Sequence, residues 1–289
     1  MSESLLTREI SIVRKYSASP ESIFGFLKDP LKVASWWGPD QFVADEVDVE
    51  PRIGGNYSLT MTGMGFSQRI IGAIVEFEEA KSLAVESRVE HEGSIILRSY
   101  FRITIEQDGN GTELTLKARA TVVNEQMMGA LQGMYAGWNQ AMQRLDDCLF
   151  DRTERTLVVL GGVASPVAEV LKYWSEPEKL SQWWRPMGFR VGRGGEIAAA
   201  SPDDALLVNQ ISLLETDPPL RLGFRCGYND VDDLGFNILV LLDEMGSQTV
   251  VSVRFVFDTV ADYISTLSKF DVKKGAEESL YRLRASISG

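Results

Sequence analysis

Pro30-Leu-Lys-Val-Ala-Ser-Trp36-Trp37-Gly-Pro39-Asp-Gln-Phe42 recurs, without a gap, as Pro177-Glu-Lys-Leu-Ser-Gln-Trp183-Trp184-Arg-Pro186-Met-Gly-Phe189. The similarity extends outward from this stretch. Ser19-Pro20-Glu21-Ser22-Ile23-Phe24 has its counterpart in Ser165-Pro166-Val167-Ala168-Glu169-Val170, Gly54-Gly55 in Gly194-Gly195, and Gly111-Thr112 in Gln248-Thr249. Thr121 to Leu149 runs against Thr259 to Ile287 at a constant offset of 138, sharing Gly137/Gly275, Arg144/Arg282 and Leu145/Leu283. Internal repetition outranks local propensity in reading a fold, and here it makes the chain one design written twice. The expected domains are 1–150 and 151–289, joined near Asp151-Arg152-Thr153 by a linker too short and polar to be a long tether.

Within each copy the order of elements follows from local chemistry. Glu9 to Tyr16 alternates as an opening strand with Ile10 and Ile12 on one face. Ser19-Pro20 offers an N-cap oxygen followed by proline at the first helical position, where the missing N–H costs nothing, and Asp29-Pro30 repeats the signal for a second short helix. Strand alternation follows at Val47/Val49, Tyr57/Leu59/Met61, Phe101/Ile103/Ile105 and Leu114/Leu116/Ala118. Asp108-Gly109-Asn110-Gly111 is a hairpin turn, since Gly and Asn tolerate positive φ. The second copy shows Leu222/Phe224/Cys226 and Val251/Val253/Phe255/Phe257. Each copy closes on a long amphipathic helix. The first carries Met127, Leu131, Met134/Tyr135, Trp138, Ala141/Met142, Leu145 and Cys148/Leu149 as one apolar stripe; the second is more polar between Lys269 and Lys274, where a bend or exposure is expected. The order of one strand, two short helices, about six antiparallel strands and a long helix predicts an α+β fold. In it a curved antiparallel sheet wraps around the terminal helix, because the apolar face of the sheet needs a cover.

Composition narrows the function. The 289 residues hold 29 Lys+Arg against 41 Asp+Glu, a net charge of −12, with 44% apolar residues. The halves hold 14 basic against 21 acidic residues and 15 against 20, so −7 and −5, and neither is a basic module. A nucleic-acid-binding surface or an anchor to anionic membrane is therefore not expected. Two cysteines cannot form a disulfide framework, no signal peptide or membrane span is apparent, and the expected location is cytoplasmic.

The Ser-Pro-x-x-x-Phe segment, the Trp-Trp-x-Pro segment, Gly-Gly before a strand, Gly-Thr-x-Leu-x-Leu at 111–116 and Gly-Trp-Asn-Gln at 137–140 together carry a resemblance. The chain resembles the SRPBCC/START-like superfamily, in particular the family homologous to the C-terminal domain of the heat-shock protein 90 ATPase activator. Thr7 to Phe150 matches throughout; Glu154 to Ser288 matches less well, with Ala276 in place of Trp138. The resemblance implies two helix-grip domains, each enclosing an apolar cavity between sheet and terminal helix. The activator's separate N-terminal domain is absent from the sequence.

Four of the six tryptophans lie in the two Trp-Trp pairs. Trp36 and Trp183 suit anchors between short helix and sheet. Trp37 and Trp184, with Phe42 and Phe189, suit either the same role or the wall of a ligand cavity. Met61 and Met64 on the strands and Met127, Met128, Met134 and Met142 on the helix form either plain core or an adaptable wall for varied apolar ligands. The expected pocket brings Met134 and Trp138 against Tyr57, Met61 and Phe66; copy two has Val272 and Ala276 at the helix positions and a differently shaped or filled interior. Arg102 falls on the face away from the interior. Arg69, if it points inward, would hold a carboxylate or phenolate. No catalytic set is assembled: His91 is the single histidine, in an acidic turn, Cys148 and Cys226 read as small buried hydrophobes, and neither metal nor cofactor is expected.

The expected function is binding of a small apolar or amphipathic molecule, mainly in the first domain. The resemblance also implies two alternatives, a chaperone-associated or stress-response interaction protein and a cyclase- or dehydratase-like enzyme.

Overall fold

The computed structural model describes residues 6–92, 94–123, 127–184, 189–191, 197–199, 206–215, 220–228, 231–269 and 271–288. The chain divides into two units, Met1–Asp151 and Arg152–Gly289.

The first unit runs β1 (Leu6–Tyr16), α1 (Pro20–Lys28), α2 (Pro30–Trp36), β2 (Phe42–Val49), β3 (Tyr57–Gly63), β4 (Phe66–Glu78), β5 (Ser82–His91), β6 (Ser94–Asp108), β7 (Gly111–Val122), α3 (Met128–Gln132) and α4 (Met134–Leu149). The caps act as their residue types dictate. The Ser19 hydroxyl accepts the Ser22 N–H at 3.3 Å, and the Asp29 carboxylate accepts the N–H groups of Leu31 (2.9 Å) and Lys32 (3.3 Å). The seven strands form one antiparallel sheet in the order β1-β7-β6-β5-β4-β3-β2, so the first strand pairs with the last. Ile23, Phe24 and Leu27 of α1, Val33 and Trp36 of α2, and Met134, Met142 and Leu145 of α4 share one core with the inward side chains of the sheet.

The second unit repeats the plan as β8 (Thr156–Val163), α5 (Val167–Ser175), α6 (Pro177–Trp183), β9 (Phe189–Val191), β10 (Ile197–Ala199), β11 (Leu206–Glu215), β12 (Leu220–Tyr228), β13 (Val231–Met245), β14 (Gln248–Phe257), α7 (Val260–Lys269) and α8 (Val272–Ser288). Its sheet order, β8-β14-β13-β12-β11-β10-β9, has the same topology. Both units are therefore α+β helix-grip domains. Two hydrogen bonds recur in both units, one from the sheet to the segment leading into the first short helix and one between the two short helices. Thr112 Oγ1 donates to Ala18 O at 2.6 Å and Thr249 Oγ1 to Ser165 O at 2.7 Å; Trp36 Nε1 donates to Phe26 O at 2.8 Å and Trp183 Nε1 to Tyr173 O at 3.0 Å. α5 and α6 lack the side-chain caps of α1 and α2, their N-cap residues being Pro166 and Glu176.

Three details differ from expectation. The closing helix of the first unit is broken at Gly133, whose N–H ends α3 on Gly129 O at 2.9 Å; glycine without a side-chain cap is a weak point in any helix. Met64 lies in the β3–β4 turn, not on a strand, at φ 53° and 76% exposed. Cys148 is half-buried, with its thiol 3.4 Å from Ser35 Oγ. Among the described residues no helix is long and apolar enough to cross a membrane.

Gly54-Gly55 shows why this pair precedes β3. Gly54 takes φ +77°, and a Cβ on Gly55 would lie 2.2 Å from Glu50 O. Gly55→Ala must displace backbone, so urea unfolding is expected to show a loss of about 1–3 kcal/mol; an unchanged midpoint would mean the turn yields freely.

Candidate functional site

The interior of the first unit between sheet and α4 is aromatic. The Trp37 ring, carried from the end of α2 on the turn through Gly38 at φ +91°, packs on Tyr57 of β3 (centroids 5.5 Å), Phe101 of β6 (5.2 Å) and Trp138 of α4 (5.1 Å). Tyr57–Phe101 at 5.8 Å and Phe101–Trp138 at 5.2 Å close the ring of contacts. All are tilted or edge-on, the arrangement that ring quadrupoles favour. Within this cluster the Tyr57 hydroxyl is buried and has no hydrogen-bond partner. Burial pushes its pKa well above the ordinary phenol range, so the group stays neutral and can act as a donor.

Other residues expected at the site stand nearby. Met61 is half-buried, its sulfur against Gly38; Met134 is buried at the start of α4; Phe42 is half-buried beside Gly63. Phe66 does not join them. It is 52% exposed at the end of the β3–β4 hairpin. Arg69 is also elsewhere. Its neighbour Gln68 points toward the helix layer, donating Nε2–H to Met127 Sδ at 3.5 Å, and strand alternation then sends Arg69 to the opposite face. There it donates to Glu46 O at 2.9 Å and Thr60 Oγ1 at 3.3 Å. Arg102 is on that face too, forked onto Glu76, whose carboxyl pKa is held below the usual range by the guanidinium hydrogen bonds.

In the second unit Trp184 is buried and packs on Trp174 (4.9 Å) and Trp183 (5.2 Å). The side chains of Phe189, Cys226 and His91 lie outside the described residues. The interiors differ by an exchange of size. Sheet register aligns Ser99, Ala118 and Ala120 with Phe236, Phe255 and Phe257, and the helix alignment sets Trp138 against Ala276. At these positions the first unit has small residues on the sheet and a large one on the helix; the second reverses this, its phenylalanine rings tilted together at 6.0 and 5.1 Å. In the first unit the small residues of β7 lie in the region of α3, the segment with Met127 and Met128 at its start.

Three residues belong to the site's architecture without having been singled out. Phe101 was visible only as one member of an alternating strand. Gln68 carried no signal. Arg144 was visible as half of a repeated pair: its guanidinium donates to the carbonyls of Ser35 (3.1 Å), Trp37 (3.4 Å), Gly38 (3.2 Å), Pro39 (3.1 Å) and Phe42 (2.8 Å), fixing the loop that presents Trp37. Arg282 bonds Trp183 O at 3.2 Å at the equivalent place.

Several solved structures are similar to one half of the chain. A protein from Chromobacterium violaceum is 22% identical, covers 49% of this chain and 96% of its own, with a TM-score of 0.44. One from Arthrobacter aurescens is 24% identical over 50% and 87%, with a TM-score of 0.44. An AHSA1 protein from Silicibacter pomeroyi is 18% identical over 50% and 98%, with a TM-score of 0.43. No curated protein matches the chain. The family described as activator of Hsp90 ATPase homolog 1-like protein matches twice, over residues 17–149 and 164–288. Those two segments take in most of both units, and the chain belongs to that family as a tandem member.

Proposed function

We propose that the first unit binds a small apolar or amphipathic molecule between its sheet and α3–α4, with the Tyr57 hydroxyl as the polar contact. The observation that carries this reading is the buried, unpartnered Tyr57 hydroxyl amid Trp37, Phe101 and Trp138. Leaving such a group unbonded costs about 1–3 kcal/mol, which a ligand carbonyl or ether oxygen would recover. The mobile parts of the wall suit the role. Met61, Met127 and Met134 are adaptable side chains, Trp138 is half-buried at the edge of the cluster, and the helix is interrupted at Gly133. Phe236, Phe255 and Phe257 of the second unit, standing where the first has Ser99, Ala118 and Ala120, support assigning the site to the first alone.

Native mass spectrometry of the purified full chain is expected to show a small molecule retained by wild type and lost by Trp138→Ala. Titration with 8-anilinonaphthalene-1-sulfonate is expected to be weakened about tenfold by the same change, the loss of one aromatic wall. An empty chain whose probe binding ignores Trp138 overturns the reading. Tyr57→Phe gives a second readout: the empty protein is expected to gain up to about 1 kcal/mol, because an orphaned hydroxyl is removed, while ligands bearing an acceptor bind more weakly. A clear loss of stability on Tyr57→Phe would show that the hydroxyl is already bonded.

A further inference from the structure

The face of the first sheet turned away from α4 carries a cationic groove in an acidic chain. Register places three rows of side chains there. Thr7, Thr121, Arg98, Arg88 and Ile71 form the first, Glu9, Arg119, Tyr100, Glu86 and Ala73 the second, and Ser11, Lys117, Arg102, Ala84 and Glu76 the third. Two depressions of about 520 and 700 Å³ open on this face and share Glu9, Glu86, Tyr100 and Arg119; the larger is also lined by Arg88 and Arg98 and the smaller by Lys117. Arg88 stands directly opposite Arg98, and Arg102 opposite Lys117. Like charges so placed work against the sheet. Glu90 and Glu76 relieve Arg88 and Arg102. Arg98, Lys117 and Arg119 are exposed and make no side-chain ion pair or hydrogen bond among the described residues, although Glu9 stands opposite Arg119 in the register. The equivalent positions of the second unit hold Gly235, Leu239 and Val256 against Arg98, Arg102 and Arg119, and the cation it keeps, Arg254 against Lys117, is buried, so the exposed cluster is a feature of the first.

We infer that this groove binds an acidic polypeptide segment in extended conformation. The charge is complementary, and the spacing selects the conformation. Lys117 and Arg119, two residues apart on β7, are separated by about 6.6–6.8 Å, and the diagonal from Arg119 to Arg98 spans about 7–8 Å. Alternate side chains of an extended peptide repeat at about 6.6–6.8 Å, so acidic residues at every second position meet the three free cations in turn. Glu9 and Glu86 share the row of Arg119, so the groove disfavours an uninterrupted acidic run and suits a segment in which acidic residues alternate with neutral ones. The site is on the other side of the sheet from the proposed ligand cavity and does not depend on it.

The test uses the full chain and a fluorescein-labelled peptide of alternating Ser and Glu, about eight residues long, followed by anisotropy. Binding is expected at about 0.01 M salt and much weaker at about 0.15 M, as the Debye length shrinks from about 30 to about 8 Å. Arg98→Glu/Arg119→Glu is expected to weaken it about tenfold or more, whereas Arg52→Glu/Lys81→Glu, with the same change in net charge elsewhere on the unit, leaves it within about twofold. Circular dichroism confirms that both variants fold. No binding by wild type overturns the inference, as does equal loss in both double variants. Binding of pyrophosphate at this face without binding of the peptide also overturns it, making the occupant a small polyanion.

Discussion

Arg144→Ala is expected to lower the stability of the first unit by about 3–4 kcal/mol, since charge-assisted hydrogen bonds are worth about 1.5–3 kcal/mol each and do not add fully. One guanidinium holds five carbonyls between Ser35 and Phe42, the turn that leads from the end of α2 to the start of β2. Without it these carbonyls lose their shared donor and the loop carrying Trp37 is released. Differential scanning calorimetry should show a drop of about 10 °C for a unit of this size, at about 2–4 °C per kcal/mol. Arg144→Lys should recover little of it, because a single ammonium cannot reproduce the planar fork. Full recovery by lysine would mean that charge alone matters there, not geometry.

The second large effect is expected from Trp36→Ala, at about 3–5 kcal/mol, the usual cost of removing a buried large aromatic side chain. Trp36 is fully buried, touches the Trp37 ring at 5.4 Å and satisfies Phe26 O. Trp36→Phe should recover much of the packing and not the hydrogen bond, leaving about 1–3 kcal/mol unrecovered. Chemical denaturation followed by far-ultraviolet circular dichroism reads both. A small effect of Trp36→Ala would mean that the helix pair does not depend on this anchor. The contrast with Trp138→Ala is diagnostic: Trp138 is half-buried, so its loss should fall more on ligand binding and less on stability.

The doubled fold was legible because it rests on residues whose backbone consequences are strong and local. Ser19-Pro20 and Asp29-Pro30 each force a helix start, and the paired tryptophans recur at matching points. The break at Gly133 was not legible, because the apolar stripe continues through it and glycine inside a helix costs only about 1 kcal/mol. The aromatic cluster was partly legible. Trp37, Tyr57 and Trp138 stood out by size, while Phe101 joins them only through the register of β6 against β7, a long-range fact. Phe66 and Arg69 failed for the same kind of reason. Strand parity is set by where the β3–β4 turn falls, and the turn sits at Met64-Gly65, leaving Phe66 at the hairpin end and Arg69 facing outward. The exchange of bulk between Trp138 and the phenylalanines of β14 was hidden for want of the same register.

The pairing of β1 with β7 has a kinetic consequence. Thr7 and Thr121 meet across 114 residues of chain, and the second unit repeats the arrangement with β8 and β14. Contacts this distant in sequence repay the entropy of loop closure late, so folding is expected to be slow for the unit's size. During synthesis β1 precedes its partner and waits, with both edges unpaired, until β7 has emerged. Of its alternate outward residues, Thr7, Glu9, Ser11 and Lys15 are polar or charged and Val13 is apolar, a mostly polar face that discourages pairing of the waiting strand with other chains. A permutant that joins β7 directly to β1 turns the longest closure into a hairpin and should fold faster without a change of architecture.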